Sequence, residues 1–254
     1  MIEYPIFDAH FHVIDPRFPL VPNRGYLPDR YTTKDYMERM KDYDLRGGAV
    51  ISGSFQAFDQ DYLVDALARL GPGYVGVTQL PASVSDEELI ELDLAGVRAV
   101  RFNLKRGGSE DVSRMDEMAR RIHELVGWHI ELYADARELD PLLPTLIALP
   151  AVAIDHLGLS KAGFPTLLEL AEHGVRIKAT GFGRVDFNVR EALRMLYTAN
   201  PNSLMFGSDL PSTRAARPYS DNDYHLVIDT LGEEAARAVL LDNALGFYRI
   251  DGAA

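Results

Sequence analysis

Cysteine is absent from the 254 residues, which removes disulfides and thiolate chemistry together. Long apolar runs are absent too, and none approaches the ~18 residues of a membrane span. The first residues lack a basic segment followed by an apolar one, so no signal peptide is expected and a cytoplasmic protein is the expectation. Positive charge is scarce: Lys and Arg number 26 against 38 Asp and Glu, for a net charge of −12. That deficit argues against a general nucleic-acid or anionic-membrane surface, while leaving room for a local basic pocket. No phosphate-binding glycine fingerprint follows the first strand-like segment, which weakens a dinucleotide-binding reading.

Apolar residues make up 47% of the chain, enough for a sizeable core. Eight short apolar segments alternate with longer amphipathic ones. The strand candidates are 6–10, 48–52, 74–79, 97–103, 129–134, 152–156, 175–180 and 204–209. Several are nearly continuous apolar runs, as parallel strands covered on both faces require. The intervening segments read as helices, one opened by the capping-box pattern Ser85-Asp86-Glu87-Glu88. Eight βα units without an evident linker predict an α/β fold, a (β/α)8 barrel of one domain over 1–254. A doubly wound open sheet is the structural alternative. Segment 13–33, with prolines at 16, 19, 22 and 28, is a long loop after strand 1, over the mouth of such a barrel.

In a barrel the chemistry sits where strands end. The first strand ends in Ile6-Phe7-Asp8-Ala9-His10-Phe11-His12. Alternation along a strand points His10 and His12 the same way, with Asp8 and Ile6 below them. Two imidazoles there can hold one metal ion or one anionic substrate. Strand 4 places Arg101 and Asn103 on the face of Val97 and Ala99, with Arg98 opposite. Strand 5 ends with Glu131 and Tyr133 on one face, strand 6 at His156, strand 7 in Thr180–Arg184 and strand 8 at Asp209. Three histidines and one aspartate thus converge on one end of strands 1, 6 and 8. A lone His, a lone Arg or a Gly-Ser-Asp turn would be structural; their convergence is what points to a site. His123, His173 and His225 lie in helical patterns, and His129 begins its strand at the far end.

Phe7–His12, Asp155-His156-Leu157-Gly158 and Gly207-Ser208-Asp209-Leu210-Pro211 resemble the amidohydrolase superfamily. Residues 97–104 and Leu241-Asp242-Asn243-Ala244 fit its amidohydrolase-2 branch, and within it the 2-pyrone-4,6-dicarboxylate lactonases and related lactonases. The resemblance implies that His10, His12, His156 and Asp209 form the catalytic centre. It implies that Arg101 and Arg106 hold substrate carboxylates, with Tyr133 and Arg184 as further substrate contacts. Two-metal relatives carry a bridging Lys on strand 4 and a His on strand 5; Arg101 and Tyr133 stand there instead, so a binuclear centre is not expected. One Zn²⁺ or Mn²⁺ held by His10, His12 and Asp209, with His156 assisting, is compatible with N/O ligation; metal-free catalysis is the other implied route. On this basis Asp209 is the expected general base, and the expected substrate is a small anionic lactone. A metal-dependent non-oxidative decarboxylase of the same branch is the second reading. A homo-oligomer is left open.

Overall fold

The computed structural model describes residues 4–250. Eight parallel strands pair in chain order: β1 (Ile6–Phe11), β2 (Leu45–Ile51), β3 (Tyr74–Thr78), β4 (Val97–Asn103), β5 (His129–Tyr133), β6 (Val152–Ile154), β7 (Arg176–Ala179) and β8 (Leu204–Phe206). Backbone bonds just beyond β8 close the ring: Asp209 N–H donates to the His10 carbonyl (2.7 Å) and His12 N–H to the Leu210 carbonyl (2.8 Å). The architecture is a (β/α)8 barrel, as the alternation of segments predicts.

Helices α1 (Thr33–Met40), α2 (Asp61–Leu70), α3 (Asp86–Leu94), α4 (Met115–Val126), α5 (Leu143–Ala148), α6 (Phe164–Glu172), α7 (Val189–Ala199) and α8 (Asp221–Leu231) follow the strands in turn. Ser85 caps α3 in the expected box: its hydroxyl accepts from Glu88 N–H, and the Glu88 carboxylate accepts from Ser85 N–H. That arrangement satisfies two of the donors a helix start leaves open. The last helical stretch is broken, with α9 (Glu233–Arg237) and α10 (Asn243–Phe247) joined by a π-turn, Ala238–Asp242. No helix among the described residues is long and apolar enough to cross a membrane.

Two apolar layers result. The larger lies between strands and helices, with Val50, Val100, Phe102, Ile130, Leu132, Ile154 and Ile177 facing outward from the barrel. The smaller fills the lower half of the barrel with Phe7, Ala9, Ala49, Ile51, Val75, Val77, Ala99, Ala153 and Met205, and is closed from below by Leu241, Ala244 and Tyr248. Each buried large apolar side chain contributes roughly 1.5–3 kcal/mol. The alanines leave room in the barrel for the long polar side chains above them.

One expectation is corrected here. Neither Asp8 nor Ile6 lies beneath His10 and His12; Ile6 packs in the outer layer. The β1–β2 register advances three residues on β1 against two on β2 between Asp8 and Phe11, which is a bulge. A bulge inserts one residue and reverses the alternation beyond it. Ala9 and His10 therefore both face inward, while Asp8 faces the helices and accepts from the Tyr36 hydroxyl (3.1 Å) and the Ser208 hydroxyl (2.6 Å). Burial pushes its carboxyl up to about 6, against the opposing pull of those donors. Another irregularity, between β3 and β4, sends Val97 to the outer layer while Ala99 stays inside.

Candidate active site

The C-terminal ends of β1, β6 and β8 bring His10, His12, His156 and Asp209 into one buried cluster. The Asp209 Oδ1 atom lies 4.0 Å from His10 Nε2, 3.9 Å from His12 Nε2 and 4.0 Å from His156 Nε2. Three imidazole nitrogens from two strand ends thus surround one carboxylate oxygen. Asp209 Oδ1 and both ring nitrogens of His10 have no hydrogen-bond partner among the described residues. Buried polar atoms are nearly always paired, so this set is shaped to meet something the chain does not supply. His10, His12 and Asp209 have ligand atoms close enough together to share one metal ion, and so do His10, Asp155 and His156.

The backbone works to make this convergence. Asp209 and His156 both sit at left-handed φ values, 60° and 52°. Such conformations in non-glycine residues cost on the order of 1–3 kcal/mol and gather at functional sites. Glycines permit the close approach: a Cβ at Gly207 would stand 2.7 Å from His10 N, and one at Gly181 would stand 2.8 Å from His156 Nδ1.

Each catalytic candidate is held from behind. The Ile51 carbonyl lies 2.7 Å from His12 Nδ1, so Nδ1 carries the proton and Nε2 presents a lone pair to Asp209. The Thr180 hydroxyl lies 2.7 Å from His156 Nδ1. Asp155 stands 3.3 Å from His10 Nδ1. Asp209 Oδ2 accepts from Arg184 Nε at 2.7 Å, and Arg184 also donates to the Thr213 carbonyl. Burial pushes the pKa of His10 down, and that of His12 and His156 well down. All three imidazoles are therefore neutral near pH 7, as metal ligands or neutral hydrogen-bond partners must be.

The substrate-binding candidates divide. Arg101, Arg106, Tyr133 and Arg184 all line one pocket together with His12 and His156. Arg101, however, is almost fully buried and gives Nε and Nη2 to Asp155 (3.0 and 2.7 Å) and Nη1 to the Ser52 carbonyl (2.9 Å). Its charge already has a partner. Arg106 is half-buried and forms no ion pair among the described residues; its backbone N–H donates to Asn103 Oδ1. Tyr133 packs edge-on against His156, ring centres 5.0 Å apart, with the Arg101 guanidinium 5.1 Å from its ring centre.

The sequence alone assigns no role to three buried groups: Asp155, Glu131 and Lys178. Lys178 is fully buried, bonded to Glu131 and 3.6 Å from Asp155. A lysine inside the apolar run of strand 7 was the available signal, since a buried charge must be paired. Of the loop arginines, Arg214 lines the pocket, whereas Arg217 turns away to pair with Asp223 at 2.8 Å.

The chain is similar to known proteins in sequence and in fold. The Amidohydro_2 model, described as amidohydrolase, matches residues 7–250. A 2-pyrone-4,6-dicarboxylate hydrolase of Comamonas testosteroni is 36% identical over 158 residues, 59% of this chain, and the match spans only about half (51%) of that relative. A 4-sulfomuconolactone hydrolase of Rhizobium radiobacter is 28% identical over 96% of this chain and 90% of its own length. Among solved structures, a Pseudomonas putida protein provisionally assigned as a 2-pyrone-4,6-dicarboxylic acid hydrolase superposes with a TM-score of 0.80 at 26% identity, over 99% of this chain and 100% of its own. An Agrobacterium tumefaciens protein at 20% identity shares the fold with a TM-score of 0.84, covering 98% of this chain and 97% of its own.

Proposed function

The chain belongs to the amidohydrolase family, Amidohydro_2, and from that premise we propose that it hydrolyses a small carboxylated lactone. The observation that carries this is the unpartnered Asp209 Oδ1 facing three imidazole Nε2 atoms at 3.9–4.0 Å. Support comes from the relatives, which are named as hydrolases of a pyrone dicarboxylate and of a sulfomuconolactone.

Opening a lactone needs a water deprotonated, an oxyanion stabilised and the leaving oxygen protonated. Asp209 is the base: Oδ1 takes the water's proton while Arg184 holds Oδ2. The oxygen nucleophile then adds to the ring carbonyl, and the ring C–O bond breaks as Asp209 returns that proton to the leaving oxygen. His12 Nε2, a lone pair by virtue of the Ile51 carbonyl on Nδ1, orients the water by accepting a hydrogen bond from its other O–H, which stays on the oxygen. Thr180, donating to His156 Nδ1, leaves His156 Nε2–H to meet the developing oxyanion. Removing one such donor typically lowers turnover by about 10²–10³.

The donor set of two or three imidazole nitrogens and one carboxylate oxygen also fits a single Zn²⁺ or Mn²⁺ held by His10, His12 and Asp209, with His156 assisting. Such an ion would supply Lewis acidity to the carbonyl oxygen. Arg106 offers the unpaired guanidinium for a substrate carboxylate, with Arg101 and Tyr133 forming the wall beside it.

The test is product analysis on lactones with and without carboxylates, using the wild type and D209N. Ring opening by the wild type without release of CO₂, abolished in D209N, is expected. Release of CO₂ would instead identify the decarboxylase.

A further inference from the structure

His12 and His156 each have a neutral group at Nδ1 that decides where the ring carries its proton: the Ile51 carbonyl for one, the Thr180 hydroxyl for the other. His10 differs. Its Nδ1 faces a carboxylate oxygen, Asp155 Oδ1, at 3.3 Å, and both side chains are fully buried. Neither atom has a hydrogen-bond partner elsewhere among the described residues, and buried polar atoms are nearly always paired. A separation of 3.3 Å is the loose form of such a contact, of the kind that tightens when an active site fills.

Asp155 is itself clamped. Arg101 gives Nε and Nη2 to Oδ2 at 3.0 and 2.7 Å, and Lys178 Nζ stands 3.6 Å from Oδ1. Two cations favour the ionised carboxylate, and an ionised carboxylate only accepts. A neutral imidazole facing it therefore turns its N–H toward it. On the other side of the ring, His10 Nε2 faces Asp209 Oδ1 at 4.0 Å, and neither of those atoms has a hydrogen-bond partner among the described residues. An N–H there would be drawn into a bond with that oxygen; two acceptors stand apart.

We propose that Asp155 is the positioning residue of His10: it holds the ring proton on Nδ1, so that Nε2 turns a lone pair to Asp209 and leaves Oδ1 free to take the water's proton. An N–H on Nε2 would occupy the very oxygen that has to act as base. Once Oδ1 carries the proton, the lone pair accepts a hydrogen bond from it and keeps it in place until the leaving oxygen takes it. The two imidazoles of β1 then present lone pairs alike, and His156 presents the N–H. Arg101 serves the reaction through Asp155. The proposal deepens the lactonase reading and rests on it for the reaction that His10 attends.

The test reads the ring protons directly, by nitrogen-15 NMR of the histidines near pH 8, with His10 identified by the signals lost in H10Q. In the wild type Nδ1 should carry the proton and Nε2 should not. In D155N the side chain offers one oxygen and one amino group. Arg101 can be met only by the oxygen, so the amino group faces His10 Nδ1 and the proton should move to Nε2. Turnover of 2-pyrone-4,6-dicarboxylate, used as the probe lactone, should fall about 10²-fold or more in D155N with KM within about twofold, the pattern of a misplaced proton rather than of a lost substrate contact. An Asp155 that merely balances Arg101 would leave the His10 tautomer unmoved. Nε2–H in the wild type, which an oxyanion donor at His10 would need, overturns the proposal whether or not D155N folds. A D155N protein whose His10 keeps its proton on Nδ1 overturns it as well. The expected tautomer in the wild type and its reversal in D155N, from a protein that opens no lactone, uphold the hold of Asp155 on His10 and overturn the lactonase reading.

Discussion

Two layers of ionisable side chains are stacked inside the barrel, and they are finished differently. In the lower layer Glu131 accepts from the Tyr248 hydroxyl (2.6 Å), from His129 (3.1 Å) and from Lys178. None of these four residues has an unpartnered buried side-chain atom. In the upper layer His10 Nε2 and Asp209 Oδ1 have no hydrogen-bond partner among the described residues, and His10 Nδ1 and Asp155 Oδ1 meet only each other within hydrogen-bond reach, at 3.3 Å. Burial is equally complete in both. Carboxylates and imidazoles equally buried therefore serve two ends: the satisfied layer holds the barrel together, and the unsatisfied layer holds something else. The lower carboxylate illustrates the first case. Burial alone would raise the Glu131 pKa, yet Lys178 and His129 bring it down to about 2.

The comparison breaks most visibly with one substitution in each layer. D209N should reduce lactone turnover by about 10³-fold or more, since it removes the base as well as a charge. Its stability should fall by no more than about 1–3 kcal/mol: Oδ1 has no partner to lose, and the Asn amide oxygen can still accept from Arg184 Nε although the ion pair is gone. A D209N protein with near-normal turnover would remove Asp209 from the mechanism. K178M is the counterpart. It leaves Glu131 buried without its ammonium and Asp155 without one of its cations, a loss worth about 3–5 kcal/mol. Urea unfolding should show it. A K178M protein as stable as wild type would mean that the lower layer does not carry the barrel.

Acid should separate the layers less sharply. Burial lowers the pKa of His10, His12, His129 and His156 below the ordinary value of 6.5. From about one pH unit above 6.5 neither the folded nor the unfolded chain holds these protons, so no penalty arises. Below it the unfolded chain binds protons that the folded chain refuses, and stability falls with pH by up to about 1.4 kcal/mol per unit for each histidine. Asp8 acts in the opposite sense. Its raised pKa lets the folded chain bind a proton between about pH 6 and 4 that the unfolded chain lacks, which softens the decline. Urea midpoints measured from pH 8 to pH 5 should therefore fall monotonically; a rise on acidification would contradict the neutral, buried state of the imidazoles.

Much of this was legible in the sequence, for reasons that can be named. The βα rhythm is a property of local periodicity, and it survives in all eight strands. His10 and His12 are two residues apart and inward together, since the bulge lies before them. Asp8 was misplaced because a one-residue bulge reverses a face without leaving a mark in the residue types. The arginines were opaque for another reason. Arg101 and Arg106 look alike in a string, as do Arg214 and Arg217; what separates them is a carboxylate. For Arg101 that carboxylate is Asp155, 54 positions away on the far side of β6. Pairing is a tertiary fact. A single lysine within the apolar run of strand 7 was the exception, a signal of the lower layer that periodicity alone could have raised.

The smallest expected effect tests the boundary between the layers most finely. Thr180 follows β7, the strand that carries Lys178, but its hydroxyl serves the upper layer, 2.7 Å from His156 Nδ1. If that hydroxyl donates, it leaves the proton on Nε2, where an oxyanion would be met. T180V keeps the side chain's shape and loses the hydroxyl. His156 is then free to carry its proton on either nitrogen, and turnover should fall about 5–10-fold, the scale of one neutral hydrogen bond. Stability should change by no more than about 1 kcal/mol, because the imidazole itself stays packed against Tyr133. T180S, which restores the hydroxyl, should recover most of the rate. A T180V protein that loses stability but not turnover would assign Thr180 to the scaffold, and the oxyanion would then have to be met by His10 rather than His156.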